Sequence, residues 1–360
     1  MGERVAVIGA TGYTGGLVVR ELIGRGVAVV AAGRNAEKLS TLPVEADRKV
    51  VDVTDAGALR AAVDGCRAVV NCVGSFIDHG EAVVAAAVAA SAAYVDTTGE
   101  FPFLQRVFDT FDGPARAAGV AVVPGMAFYS APADFIAALA ALALGRAPDS
   151  VQVAYRLDGA RPSKGTLRTN LRRAGLPCPV REDGRLVNRR VGDDPRLFRF
   201  PEPYGPATVA RWPGGEVLTV PRHTDARSVA AFLGMPKAAS AVLRNPRLTP
   251  VLQRIGRRLV GDATAGPSDE ARRRARFVVV AEAAAGGDVA RGVVEGHDLY
   301  GVTAAACAEA VQRLSVTGVD RPAGTLAPAE AFDPAGFLDA LSAYLSWRVE
   351  GPTGPQAGRT

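Results

Sequence analysis

Cysteine and histidine are scarce: Cys66, Cys72, Cys178 and Cys307, with His79, His223 and His297, in 360 residues. None of the cysteines forms a C-x-x-C, and the seven residues match no zinc-ligand spacing, so no metal site is expected. Four thiols in a chain of this size argue against a disulfide framework and for a reducing compartment. Long apolar runs are missing as well. The longest, 82–90 and 135–144, fall far short of the ~20 residues of a membrane span. The opening Met1-Gly2-Glu3-Arg4 runs straight into a strand pattern, so no signal peptide is expected. These absences lead us to expect a soluble, cytoplasmic protein.

Several catalytic signatures are absent too. No tyrosine has a lysine four residues on, no G-x-S-x-G elbow occurs, and no G-x-x-x-x-G-K-[ST] phosphate loop is found. Aromatics make up only 6% and do not interleave with the arginine groups 172–173, 189–190, 257–258 and 272–274, which argues against a nucleic-acid stacking platform. The net charge of +5 is too small to imply nucleic acid by itself. The arginine groups read as a solvated face, with an anionic carrier protein as a speculative partner.

Against these gaps stands an excess of glycine, 40 of 360 residues, with no Gly-X-Y period. The apolar run Val5-Ala6-Val7-Ile8 stops at Gly9 and fits a strand buried on both faces. Strand patterns follow at 27–32, 50–51, 68–70, 94–95 and 120–123. Helical patterns at 13–24, 37–42, 56–63, 81–92 and 103–118 alternate with them, Pro114 being expected to break or kink the last. This is the alternation of a doubly wound α/β domain with a parallel sheet.

Between the first strand and its helix lies Gly9-Ala10-Thr11-Gly12-Tyr13-Thr14-Gly15. Gly9 suits the tight turn, Gly12 the approach of a pyrophosphate, and Gly15 close packing of helix on strand. The helix N-terminus then offers free N–H groups to phosphate. An NAD site places an acid at the end of the second strand; here the strand ends Ala32-Gly33-Arg34. Arg34 suits a 2′-phosphate, so NADP(H) is the expected cofactor. Asp52 and Val53 are placed to approach the adenine; Cys72, Val73 and Gly74 are placed near the nicotinamide ribose. With no metal or acyl-transfer nucleophile, hydride transfer by the nicotinamide remains, the protein orienting the acceptor.

Several segments together resemble the saccharopine dehydrogenase-like family of NADP-binding oxidoreductases. They are GATGYTGG at 9–16, Ala32-Gly33-Arg34, YVDTTGE at 94–100, Pro124-Gly125-Met126-Ala127-Phe128-Tyr129 and Pro132-Ala133-Asp134. Ser163-Lys164-Gly165-Thr166, the Gly-His-Asp-Leu-Tyr run at 296–300 and the closing stretch 319–337 complete the set. Two departures, Ser75-Phe76 in place of Pro-Tyr and a shorter chain, point away from saccharopine as substrate. The resemblance implies a Rossmann domain (1–128), an inserted α+β substrate domain (129–297), C-terminal helices returning to the first domain (298–348) and a flexible tail (349–360). Compatible patterns are strands at 151–157, 217–220, 276–281 and 289–294, the last two antiparallel across Gly286-Gly287-Asp288. An amphipathic helix at 303–314 and a terminal helix at 337–345 follow.

The substrate is expected between the domains, at the carboxyl ends of the strands. Tyr129 and Lys164 are the candidate proton donors. Asp96, Thr98, Thr166 and Arg168 are the candidate substrate-binding residues, with loop bracing and helix capping as the other use of Asp96, Thr98 and Glu100. His79 reads as a helix-capping or exposed residue. The implied activity is NADPH-dependent reduction of a C=O, C=N or C=C bond in a small molecule of amino-acid, secondary or lipid metabolism, in a chain that can form a homodimer. A non-catalytic NADP(H)-binding sensor or scaffold is the competing function.

Overall fold

The computed structural model describes residues 4–173, 177–245, 266–315 and 322–353, together with Leu248 and Arg254. Arg257-Arg258, the beginning of the 319–337 stretch and residues 354–360 lie outside the described residues.

The first sheet is built from β1 (Arg4–Ile8), β2 (Ala28–Gly33), β3 (Asp47–Val50), β4 (Ala68–Asn71), β5 (Ala93–Asp96) and β6 (Ala121–Val123). The helices between them are α1 (Tyr13–Gly24), α2 (Ala36–Ser40), α3 (Ala56–Val63), α4 (Phe76–Ala89) and α5 (Phe101–Ala118). With β15 (Gly324–Thr325) the strand order is β15-β6-β5-β4-β1-β2-β3. Every pairing is parallel. Alternate residues feed opposite faces: Val5, Val7, Ala68 and Val70 enter one core, Ala6, Ile8 and Val69 the other. That two-sided burial is why the strands read as continuous apolar runs.

β3 is the exception. It forms the edge of the sheet, its residues are mostly exposed, and it carries two cations and an acid. The α5 helix runs unbroken through Pro114 and ends at Gly119 in the left-handed region, φ +66°. The expected break does not occur.

From β6, α6 (Ala131–Leu144) leads into the second sheet. Its strands are β7 (Ser150–Asp158), β8 (Cys178–Glu182), β9 (Arg185–Arg189), β10 (Arg196–Arg199), β11 (Pro206–Arg211), β12 (Ser228–Gly234), β13 (Arg276–Ala285), β14 (Asp288–His297) and β16 (Leu345–Thr353). The main path is β10-β11-β12-β7-β13-β14-β16, with β8 and β9 attached to β12. Only β7 and β12 pair in parallel; β13 and β14 form the expected hairpin across residues 286–287. One core spans the inner face of both sheets, including α6, Phe277, Val279 and the Leu299–Ser315 helix.

Three expectations need correction. The 217–220 run is not a strand: Glu216–Thr219 is a turn of helix followed at once by Pro221–Thr224, and Val217 and Val220 are buried at helical spacing. The Leu299–Ser315 helix is buried almost all round rather than amphipathic, because small residues let it pack against α1 and the first sheet. The tail is strand as far as Thr353: β16 pairs antiparallel with β14, so the C-terminal part leaves the first sheet for the second. An edge position is what tolerates Gly351 and Pro352 there.

Candidate functional site

The glycine turn sits at the carboxyl edge of the parallel sheet. Ala32 O, at the end of β2, accepts from Gly9 N and Ala10 N at 2.9 Å each. Gly9 has φ +85°, and a Cβ there would lie 2.9 Å from the backbone of Cys72 after β4. A Cβ at Gly15 would fall 2.2 Å from Gly9 O, so the helix can meet the turn only with glycine at that place. Gly12 is the N-cap of α1 and offers no side chain to the first turn. The positive end of the helix is therefore open to an anion.

Other cofactor candidates divide by what their side chains do. Arg34 is exposed just past β2, and the following Asn35 caps α2 through Lys38 N at 2.8 Å. Asp52 is exposed and its carboxyl is held below the usual range by hydrogen bonds from Thr54 N and Oγ1, with Arg34 and His79 adding to the effect. Val53 is buried. Thr11 braces Gly33, whose added Cβ would meet its side chain at 3.0 Å. Thr14 lies in the first turn of α1. The Cys72-Val73-Gly74 turn is held by Val73 N donating to Asn71 Oδ1 at 3.0 Å, and Gly74 faces open space. Surrounding protein pushes the Cys72 thiol up to about 12, which removes it as a thiolate nucleophile.

Asp96 and Thr98, expected to bind substrate, are both 0% exposed. Asp96 Oδ1 accepts from Thr98 N at 2.9 Å and Gly125 N at 2.8 Å, while Oδ2 accepts from Tyr94 Oη at 2.9 Å. Tyr94 Oη in turn accepts from Asn71 Nδ2 at 3.1 Å. The network ties together the ends of β4, β5 and β6. These residues brace the sheet edge. Burial pushes the Asp96 carboxyl up to about 6. Glu100 caps the same edge, its Oε2 accepting from Ile77 N at 3.0 Å.

A cavity of about 220 Å³ lies beside this edge. Phe128, Tyr129, Leu157, Trp212, Pro213, Leu233 and Leu299 give it apolar walls; Tyr155, Thr166, Glu216 and Tyr300 supply polar atoms. Tyr129 and Thr166 are among the residues of its walls. Lys164 and Arg168 are not: Lys164 is half-buried at the start of α7 (Lys164–Arg173), Arg168 is exposed, and neither forms part of the walls. Each is two residues from Thr166, about 200° round the helix, and so lies on its other side, which the compact motif concealed.

Tyr13 joins turn and cavity. Its ring packs edge-on against Tyr300, centroids 4.9 Å apart, and its Oη donates to Pro267 O at 2.7 Å. Burial pushes its hydroxyl up to about 12. Its side chain therefore supports the cavity wall through Tyr300, and only its backbone stands at the glycine turn. Tyr300 Oη also meets Thr166 Oγ1 at 3.1 Å and accepts from Ser163 N at 2.6 Å.

Sequence reasoning missed Tyr155 and Glu216. Tyr155 Oη lies 2.5 Å from Tyr129 O and also contacts Glu216 Oε1. Burial, then the Glu216 carboxyl, pushes the Tyr155 hydroxyl well above its ordinary value. Glu216 is 1% exposed. A Cβ at Gly214 would fall 1.9 Å from Glu216 Oε2, so Pro213-Gly214-Gly215 makes room for the carboxyl. His223 pairs with Asp134 Oδ1 at 2.9 Å, which raises its pKa against the cost of burial. His79 is in the first turn of α4, its N–H bonded to Ser75 O.

A family model for NAD(P)H-binding domains matches residues 9–97. A lipid droplet localized protein of Caenorhabditis elegans is 32% identical over 145 residues, 36% of this chain and 34% of that protein. A probable mitochondrial saccharopine dehydrogenase-like oxidoreductase of Arabidopsis thaliana is 29% identical over 148 residues, 36% and 33% respectively. The human saccharopine dehydrogenase-like oxidoreductase is 28% identical over 151 residues, 36% and 35%. The chain resembles the saccharopine dehydrogenase-like family.

These matches span about a third of each curated relative's length. Among solved structures, apo saccharopine dehydrogenase (L-Glu forming) of Saccharomyces cerevisiae aligns over 97% of this chain and 100% of that one, with a TM-score of 0.65 at 14% identity. That likeness extends the saccharopine dehydrogenase fold over both sheets. The glycine turn lies within the NAD(P)H-binding match and fits a nicotinamide dinucleotide in that the first turn of α1, with Gly12 as N-cap, has no capping side chain in the place of a phosphate.

Proposed function

We propose that the chain is an NADPH-dependent oxidoreductase that reduces a C=O, C=N or C=C bond of a small organic molecule held in the cavity. The observation that carries this reading is the pairing of two features at one sheet edge. An open glycine turn with exposed Arg34 and no acid at the end of β2 lies next to an apolar cavity, joined to it through the Tyr13–Tyr300 contact. The N–H groups of the first turn of α1 would take the pyrophosphate, Arg34 the 2′-phosphate, and the 72–74 turn would approach the nicotinamide ribose. When bound, the reduced dinucleotide supplies hydride. The protein's part is to hold the acceptor: Tyr129 and Thr166 touch it from opposite elements, and the apolar walls exclude water.

The test is NADPH oxidation, followed at 340 nm, with a panel of ketones, imines and conjugated carbonyl compounds. Turnover of at least one class is the expected result. NADPH binding without turnover of any would replace the enzyme by the sensor or scaffold.

A further inference from the structure

Among the described residues two tyrosine–carboxylate pairs are buried, Tyr94–Asp96 and Tyr155–Glu216, and only the second lines the cavity. Tyr155 comes from β7 and Glu216 from the turn after Pro213, two elements far apart in sequence that meet in the wall. Tyr155 Oη has one hydrogen and two neighbours able to accept it, Tyr129 O and Glu216 Oε1. A proton on Glu216 satisfies both contacts. The carboxyl then donates to Tyr155 Oη, and Tyr155 donates to Tyr129 O.

We propose that Glu216 and Tyr155 are the proton-delivery pair for a neutral, largely apolar carbonyl acceptor in this cavity. This deepens the reductase reading and rests on it. The acceptor's oxygen takes the place of Tyr129 O as partner of the Tyr155 hydroxyl. With hydride supplied to the carbonyl carbon by the reduced dinucleotide, the C=O π pair moves onto oxygen. That oxygen takes the Tyr155 proton, forming its O–H bond. The Glu216 proton replaces it on Tyr155, leaving a carboxylate that water reprotonates before the next turnover. The acceptor is neutral because, among the described residues, the walls offer no buried cation without an acid partner. Arg272 is engaged by Asp298 at 2.6 Å and Asp269 at 3.0 Å, and Arg161 is exposed. A carboxylate carried to Tyr155 would be desolvated without a partner.

The probe is 2-octanone labelled with carbon-13 at the carbonyl, bound to the full chain without cofactor and read by isotope-edited infrared spectroscopy. We expect the bound carbonyl stretch at lower wavenumber than in Tyr155→Phe, where the shift disappears, with a smaller shift in Glu216→Gln. In NADPH turnover, Tyr155→Phe is expected to lose about 10²–10⁴ in kcat with little change in KM. The keto acid 2-oxooctanoate, which must bury its carboxylate to reach Tyr155, is expected to bind at least about tenfold more weakly than 2-octanone. An identical carbonyl band in all three proteins, or full turnover by Tyr155→Phe, overturns the assignment of the pair. Equal or tighter binding of the keto acid overturns the neutral acceptor. A parallel NADPH titration separates the two levels: no NADPH binding defeats the reductase reading, while the carbonyl band still reports on the pair alone.

Discussion

Asp96 and Glu216 are both buried carboxyls beside a tyrosine, yet their surroundings give them different work. Asp96 has each oxygen occupied by the protein itself: two backbone N–H groups on Oδ1 and the Tyr94 hydroxyl on Oδ2. Glu216 and Tyr155 instead form part of the wall of an apolar cavity. The first pair holds three strand ends together, so that the chain passes the cofactor edge in one conformation. The second lines space that a ligand can enter. A buried acid is a structural or a chemical element according to whether it borders such space.

The largest effect should come from opening the closed pair. Asp96→Ala leaves Thr98 N, Gly125 N and Tyr94 Oη without an acceptor, and we expect about 4 kcal/mol lower stability in urea unfolding. Glu216→Gln should change stability by less than about 1 kcal/mol under the same conditions. If both variants lose the same stability, the distinction between the pairs fails.

Next comes the pH dependence of Asp96. Its folded pKa of about 6 lies above the unfolded value of about 3.8, so its stabilising contribution is complete below about pH 4 and is lost as pH rises through about 6. Wild type should therefore lose about 3 kcal/mol relative to Asp96→Asn between pH 4 and pH 7. A constant difference between the two proteins across that range would show that the carboxyl is not destabilised by burial.

Among groups that face open space, Arg34→Ala should weaken NADPH about 10–100-fold while leaving NADH nearly unchanged, as titration calorimetry would show. Retention of the NADPH preference would remove Arg34 from the 2′-phosphate site. The smallest change belongs to Lys164, which is absent from the cavity walls: Lys164→Ala should alter kcat/KM by less than about twofold and stability by less than about 0.5 kcal/mol. A larger loss of turnover would return Lys164 to the acceptor site.

The first sheet was legible because its strands are buried on both faces and its turns need glycine, two constraints written directly into residue type. Its two edge strands, the exposed β3 and the two-residue β15, were the indistinct ones. In the second sheet β7, β13 and β14 were readable, while β8 to β11 lay hidden in an arginine-rich stretch. Arg196, for example, reads as a solvated charge, yet its guanidinium lies over the Phe232 ring at 3.9 Å and burial lowers its pKa. The same limit applies to the site. Gly9, Gly15 and Arg34 are local in sequence and were readable together. Tyr155 and Glu216 are 61 residues apart and meet only through the packing of β7 against the turn after Pro213. A signal was present in Pro213-Gly214-Gly215-Glu216, where two glycines before an acid mark a place made for its carboxyl, but no spacing rule connects it to a tyrosine on a distant strand.

The most direct measurement is a crystal structure of the protein with NADP and 2-octanone. The account predicts the pyrophosphate on the first turn of α1, the 2′-phosphate against Arg34, and the ketone in the cavity with its oxygen on the Tyr155 hydroxyl. A dinucleotide bound away from the glycine turn, or a ketone lodged outside the cavity, would contradict it.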